Sequence, residues 1–239
     1  MPIRRVQPVS GEFYHLVKRG NDKRKIFLDE EDRLRFVSSL LVFNDQDPCP
    51  WKSRLFWEQR SLSWLTKYKP KNPLVEIFAF ALMENHFHIL ISQLQEDGIV
   101  TYMRKLGGYS YYFNKKYERT GSLFEGRYKI KLIKTEVQLK NNFVYIHTNP
   151  VELVEPKWKD SRVNNPQKAI EFLENKYYWS SYRDYVGKEN FSSLTSRDFF
   201  LKLFGGEKEI KKEIDSWILS KSSNLFVKES EKLSEFILE

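Results

Sequence analysis

Two histidines, His86 and His88, lie one residue apart in the apolar stretch AFALMENHFHILISQ, residues 79–93. In a β-strand, residues two apart share a face, so the two imidazoles would point to the same side, about 6–7 Å apart. In that position they can bind one metal ion or one phosphate. The alternative is a pair of hydrogen-bonded histidines at a sheet edge, because a buried imidazole without a partner is costly. The pair alone does not decide between the two.

A second polar group, Tyr145, His147 and Asn149, lies near the end of a predicted helix. That helix opens with a capping box at Thr135 and ends before Pro150, since proline disfavours helical geometry in the preceding residue. Tyr145 and Asn149 are four residues apart and share a helical face, from which a phenol and an amide could approach the histidine pair. The alternative is a tyrosine packed between helix and sheet, with Asn149 as a C-cap. His147 lies on a different face, and we assign it no catalytic role.

Periodicity predicts the elements that would position these groups. Strands are expected at 12–19, 75–82, 86–92 and 122–134, and helices at 29–43, 98–117 and 135–149. His15, on the first strand, is expected to be a packed or hydrogen-bonded residue rather than a ligand. Residues 44–73 have prolines near both margins and predict an insertion, whose tryptophans are expected to pack rather than to stack on bases. Residues 196–204 and 207–220 predict a helical tail.

The composition favours a folded, basic protein that lacks a disulfide. The chain has 239 residues, 41% of them hydrophobic, and a net charge of +8. Residues 101–149 contain ten Lys and Arg side chains against three acidic ones, so this segment carries nearly the whole positive excess and predicts a polyanionic partner. Cys49 is the single cysteine, which fits a reducing compartment. No apolar run reaches membrane-spanning length and no signal peptide is evident, so we expect a cytoplasmic protein without membrane contact.

Six ordered motifs extend over roughly three quarters of the chain. They are YHLVKRGN (14–21), MENHFHIL (83–90), YFN (112–114), GSLFEGRY (121–128), YIHTNP (145–150) and WSSY (179–182). Together they resemble the single-tyrosine transposases of the HUH class, in particular the branch associated with repetitive extragenic palindromes. One departure is Glu84, which stands where that family commonly has proline.

The resemblance implies an α+β fold, a ferredoxin-like antiparallel sheet with helices on one face, in a domain of residues 1–186 that includes the insertion. Residues 187–239 would form a helical extension. It also implies a divalent metal ion, Mg²⁺ or Mn²⁺, bound by His86, His88 and Asn149, with Tyr145 as the nucleophile. The partner would be single-stranded DNA carrying a hairpin, in a bacterial, nucleoid-associated setting, and a homodimer is compatible with the family.

The chemistry implied is nicking and strand transfer through a 5′-phosphotyrosine intermediate, which conserves the bond energy for rejoining. Contacts with the DNA backbone are expected from five residues: Arg19, Asn21, Arg127, Lys129 and Lys131. Two other functions stay open at this point. The chain could be a domesticated DNA-binding protein of the same fold that no longer cuts, or a metal hydrolase that uses the histidine pair without a covalent step.

Overall fold

The computed structural model describes residues 7–48, 67–160 and 163–221, apart from the side chain of residue 159. Within them, four strands form one antiparallel sheet in the order β2-β3-β1-β4. The strands are β1 (Phe13–Arg19), β2 (Val75–Leu82), β3 (His86–Gln93) and β4 (Lys129–Ile133). This order and the helices between the strands give the predicted α+β, ferredoxin-like arrangement. The histidine strand β3 lies inside the sheet rather than at its edge.

Helices are present at each predicted position, and two short helices at 166–171 and 182–185 are additional to the predictions. They are α1 (Glu30–Val42), α2 (Gly98–Leu106), α3 (Tyr109–Lys116), α4 (Glu136–Thr148), α5 (Pro166–Glu171), α6 (Tyr182–Tyr185), α7 (Arg197–Phe204) and α8 (Glu207–Ser220). The helix expected over 98–117 is divided at Gly107-Gly108 into α2 and α3. The strand expected over 122–134 is shorter, since only residues 129–133 pair with β1.

Helices cover both faces of the sheet. On one face, side chains such as Leu16, Phe87 and Ile89 pack against α1, α2 and α3. On the other, small and apolar side chains including Ala81 and Leu90 pack against α4 and the helices that follow it. Helices α1–α3 cover one face of the sheet, as expected. The expectation is incomplete because α4 and the helices after it cover the other face. The reason is visible in β2 and β3, which are apolar on both faces, a composition that requires cover on both sides.

Helix α4 is held over the sheet by caps at both ends. Thr135 is the N-cap, and its hydroxyl accepts a hydrogen bond from the N–H of Gln138 at 3.2 Å. The Gln138 side chain in turn accepts from the N–H of Lys134 at 2.9 Å, one residue earlier than in the usual capping box. At the other end Asn149 is the C-cap, and a 3₁₀ turn, Asn149–Leu153, takes over at Pro150. These ends determine which residues of α4 face the sheet.

The loop after β1 is attached to the turn between β2 and β3. The N–H of Gly20 donates to the carbonyl of Asn85 at 2.7 Å, and the N–H of Ile26 donates to the carbonyl of Glu84 at 2.8 Å. A Cβ at Gly20 would lie 2.3 Å from the carbonyl oxygen of Arg24, so only glycine allows this close approach. The loop and the start of the histidine strand are thereby held together.

The expected insertion and tail fall partly outside the described residues. Residues 49–66, with Cys49 and the tryptophans of the insertion, are among those not described, as are residues 222–239. Of the tail, α7 and α8 are present where predicted, and buried side chains of α8 join the same apolar cluster as α4. The division into a domain at 1–186 and an extension at 187–239 stays a prediction. In the described part of the chain, no helix is both long and apolar enough to cross a membrane.

Candidate active site beneath helix α4

The register of the sheet brings three histidines to the face that α4 covers. Directly opposed residues in antiparallel strands share a face, and Arg19 opposes His86 while Val17 opposes His88. His15, two residues before Val17, therefore lies on this face as well. All three imidazoles are at least 95% buried. The sheet thus presents a row of histidines to the helix above it.

The hydrogen bonds around His86 determine its tautomer. The Asn85 amide donates through Nδ2 to the carbonyl of Lys23 at 3.1 Å, which orients its Oδ1 as the acceptor. That oxygen lies 2.6 Å from Nδ1 of His86, so Nδ1 must carry the proton. The lone pair of His86 is then on Nε2, the nitrogen that would bind a metal ion. The asparagine of the MENHFH motif is a positioning residue for the first histidine.

Both ring nitrogens of His88 have polar neighbours. Nδ1 lies 2.9 Å from Nε2 of His15, and Nε2 lies 3.2 Å from Nδ2 of Asn149. His15 was expected to be packed or hydrogen-bonded, and it is both. Burial lowers the pKa of His15 to about 3. His15 is accordingly neutral near pH 7.

The Tyr145 ring lies against the histidines. Its centroid is 5.7 Å from that of His88 and 6.2 Å from that of His15, edge to face in both pairs. Trp158, in the 3₁₀ turn Trp158–Asp160, stacks on the Tyr145 ring at 6.1 Å. Tyr145 is 3% exposed and Asn149 is fully buried. Tyr145 is therefore packed between helix and sheet, and Asn149 is a C-cap. Both residues also contact His88 of the histidine pair. The structural and the functional interpretation of these two residues are therefore compatible.

The donor atoms present fit a divalent metal ion. His86 and His88 offer imidazole nitrogens, and Oδ1 of Asn149 is buried without a hydrogen-bond partner in the described structure. Nitrogen with neutral oxygen is a donor set that suits Mn²⁺ more readily than Mg²⁺. Over residues 7–48, 67–160 and 163–221, no three His, Cys, Asp or Glu side chains are grouped as a metal site. In the ligand set that the resemblance implies, the third protein ligand would be the Asn149 amide.

The basic residues expected to contact DNA lie around this face. Lys131 opposes His15 and Lys129 opposes Val17, so both lysines share the face of the histidines on β4, next to β1. Arg19 opposes His86 at the other end of β1. Arg127 is exposed just before β4, and Asn21 is half-buried in the turn after β1, where its N–H donates to the carbonyl of Leu123 at 2.9 Å. The histidine row is thus bordered by cationic side chains.

His147 has a structural partner away from the site. Its Nε2 lies 2.7 Å from the hydroxyl of Ser181, which also accepts from the N–H of Phe80 at 3.0 Å. Burial lowers the pKa of His147 to about 3, so the ring is neutral near pH 7. This contact connects α4 to β2 through the WSSY motif, and it gives His147 a structural role, in line with the prediction of no catalytic one.

Sequence reasoning missed two residues around the site. Asn142 is buried on α4, and Trp158 covers Tyr145. Asn142 could have been found, because Gln138, Asn142, Tyr145 and Asn149 recur at helical spacing and form a polar stripe on α4. Trp158 has no comparable signal, since it lies in an irregular segment whose direction is determined by packing.

Residues 52–149 match the model of the family described as "Transposase IS200 like". The matched segment is less than half of the chain and contains His86, His88, Tyr145 and Asn149. The predicted resemblance to single-tyrosine, IS200-like transposases is therefore confirmed over this segment.

A solved structure is also similar to this chain. It is described as "Structure of the REP associates tyrosine transposase bound to a REP hairpin". It aligns over 64% of this chain and 74% of its own, with 14% identity and a TM-score of 0.44. Comparison with curated proteins finds no match.

Proposed function

We propose that this protein is a metal-dependent nuclease and strand transferase that cleaves single-stranded DNA beside a hairpin and becomes joined to the DNA through Tyr145. One observation carries the proposal: the phenol ring of Tyr145 and the amide of Asn149 lie against His88, on the face that also holds His86. The hairpin is included in the proposal because the sequence motifs resemble those of transposases associated with palindromes.

The proposed step exchanges one phosphodiester bond for another. The Tyr145 oxygen forms a bond to phosphorus, and the bond from phosphorus to the 3′ oxygen breaks. The phenol proton is lost and the 3′ oxygen gains one, so the products are a 5′-phosphotyrosine and a 3′-hydroxyl. The reverse reaction with another 3′-hydroxyl rejoins DNA without an external energy source.

The residues of the site have separate tasks in this reaction. His86, His88 and Asn149 would hold a divalent ion, which polarises a phosphate and neutralises developing charge when it is bound. The packing of Tyr145 between His88 and Trp158 orients the phenol and limits its rotation. The neutral rings of His15 and His147 add no competing positive charge to the buried layer.

The cationic border suggests the course of the DNA backbone. Lys129 and Lys131 on β4 and Arg19 at the end of β1 lie on the face of the histidines. A single strand along β4 and the end of β1 would bring successive phosphates past these side chains toward His86. Such contacts position a strand without reading its bases.

The test of the function is a denaturing gel. Purified protein is mixed with labelled single-stranded oligonucleotides that carry hairpins, with Mn²⁺ or with chelator. We expect a protein–DNA adduct and a shorter labelled strand only with the metal. Binding without cleavage for every hairpin and both metals would favour the DNA-binding alternative. Metal-dependent cleavage without an adduct would favour the hydrolase alternative.

The lysines of β4 give a separate prediction about binding. Lys129→Ala and Lys131→Ala are each expected to weaken single-stranded DNA binding by roughly threefold to tenfold, whatever the sequence, and to lower the salt dependence by about 0.7 in slope per lost phosphate contact. Fluorescence anisotropy at several salt concentrations measures both quantities. Lys212→Ala removes a side chain on α8 that is 76% exposed, and it serves as the matched control. An equal loss in the control would show that only net charge matters.

A further inference from the structure

The buried face of α8 ends in a lysine. Ile210, Ile214 and Ile218 are buried at helical spacing, and Lys221, the C-cap, continues their row three residues after Ile218. Burial lowers the pKa of the Lys221 ammonium, since a half-buried charge loses part of its hydration. Among residues 7–48, 67–160 and 163–221, no carboxylate forms an ion pair with it. A cation on an apolar face has to be stabilised by another kind of contact.

Two indole rings supply that contact. Nζ of Lys221 lies 5.4 Å from the ring centroid of Trp158 and 5.8 Å from that of Trp217, which is one turn earlier on α8. A cation within about 6 Å of an indole ring is attracted by the negative charge of its π system, and tryptophan gives the strongest contacts of this kind. The Lys221 ammonium thus joins the end of α8 to Trp158.

The backbone around Trp158 is held in place as well. The N–H of Trp158 donates to the carbonyl of Glu155 at 3.0 Å, and the buried Glu155 carboxylate accepts from the N–H of Asn164 at 3.1 Å. The N–H of Val163 donates to the carbonyl of Lys221 at 3.3 Å. The chain before and after Trp158 is therefore attached both to its own turn and to the end of α8.

We infer that Lys221 is a positioning residue of the candidate active site and acts through Trp158: the ammonium holds the indole ring, and the indole ring holds the phenol of Tyr145. Trp158 is 1% exposed and stacks on Tyr145 with 27° between the ring planes. A ring that is confined in this way spends more of its time in an orientation from which its oxygen can attack phosphorus. Helix α8 then belongs to the same functional unit as His86, His88 and Tyr145.

The inference rests on the proposed function for its purpose, and its structural part can be measured by NMR without DNA or metal. In protein with ¹³C-labelled tyrosine rings, the signals of Tyr145 are identified by their loss in Tyr145→Phe. The ring current of Trp158 displaces them from the usual tyrosine positions. We expect Lys221→Met to move them toward those positions and Lys221→Arg, which keeps a cation beside the indole rings, to leave them as in wild type. Unchanged Tyr145 signals in Lys221→Met would overturn the inference, whatever a gel shows.

A rate measurement tests the effect on the reaction. With saturating single-stranded DNA and Mn²⁺, Lys221→Met is expected to form the covalent adduct about tenfold more slowly than wild type, because a displacement of about 1 Å can cost about 100-fold and this one is smaller. Lys221→Arg should stay within about twofold of wild type. Lys212→Met removes an exposed cation from the same helix and, as the matched control, should react at the wild-type rate. A control or a Lys221→Arg variant as slow as Lys221→Met would contradict the inference.

A double variant separates positioning from a direct contact of Lys221 with DNA. Trp158→Leu removes the ring through which Lys221 acts, so adding Lys221→Met to it should slow the adduct no further, because effects that pass through one residue do not add. Additive losses, or weaker DNA binding in Lys221→Met than in Lys212→Met, would show that Lys221 contacts the DNA itself, and the positioning role would be wrong. A wild type that forms no adduct, but whose Tyr145 signals respond to Lys221→Met, would instead contradict the proposed function alone.

Discussion

Tyr145→Phe is expected to abolish the covalent adduct and to reduce DNA cleavage by at least about 10³-fold, as is typical when a nucleophile is removed. The change deletes one oxygen and keeps the ring, so the contacts with His88 and Trp158 persist. Binding of single-stranded DNA and Mn²⁺ should therefore stay within about twofold of wild type, since the donor set is intact. Adduct formation on a denaturing gel and binding by anisotropy separate the two effects.

The control for this prediction is a tyrosine outside the site. Tyr178 is 46% exposed, and its hydroxyl donates to the carbonyl of Asn175 at 3.2 Å, so Tyr178→Phe removes a phenol oxygen without touching the histidines. It should leave the adduct yield unchanged. An adduct of normal yield in Tyr145→Phe would mean that another residue is the nucleophile. Cleavage at the wild-type rate without any adduct would point to water as the attacking group.

His86→Gln is expected to reduce cleavage by at least about 100-fold at low Mn²⁺, because it removes one of the two proposed imidazole ligands and leaves His88 and Asn149 as the other proposed protein donors. Mn²⁺ affinity, measured by titration of the metal-free protein, should fall with it. Part of the activity should return at high Mn²⁺ concentration, since a weakened site can still be filled by mass action. This recovery would distinguish a lost ligand from a lost fold.

The matched control is His147→Gln. His147 is a fully buried histidine of α4 whose ring contacts Ser181 rather than the metal ligands. Its replacement should lower the thermal midpoint, because a buried hydrogen bond is disturbed, and leave Mn²⁺ affinity unchanged. If His86→Gln kept wild-type Mn²⁺ affinity, His86 would not be a ligand and the proposed metal site would be wrong.

Most of the regular elements could be predicted from local patterns. The two histidines share a face because they are two residues apart on a strand, and Tyr145 and Asn149 share a face because they are four apart on a helix. Thr135 and Pro150 mark the limits of that helix within a residue of where they are observed. These features depend on the φ and ψ angles of neighbouring residues, so a short stretch of sequence is enough to predict them.

The position of β4 shows where local patterns are insufficient. Alternation of basic and apolar residues predicts a strand over 122–134, but only Lys129–Ile133 pair with β1. Residues 121–126 instead turn beside the end of β1, where the N–H of Glu125 donates to the carbonyl of Arg19 at 2.9 Å. Two glycines with positive φ, Gly121 and Gly126, permit this course. Arg19, which this segment contacts, is distant in sequence, so the alternation of basic and apolar residues could not reveal the contact.

The sequence by itself determined the chemical groups of the site and the faces of the elements that carry them, because side-chain type and backbone periodicity are local properties. Only the tertiary structure decided that His15 hydrogen bonds to His88 and that Trp158 covers Tyr145. Each of these contacts joins separate elements. They depend on strand register and on the packing of α4 over the small side chains of β2, which follow from burying both faces of the sheet.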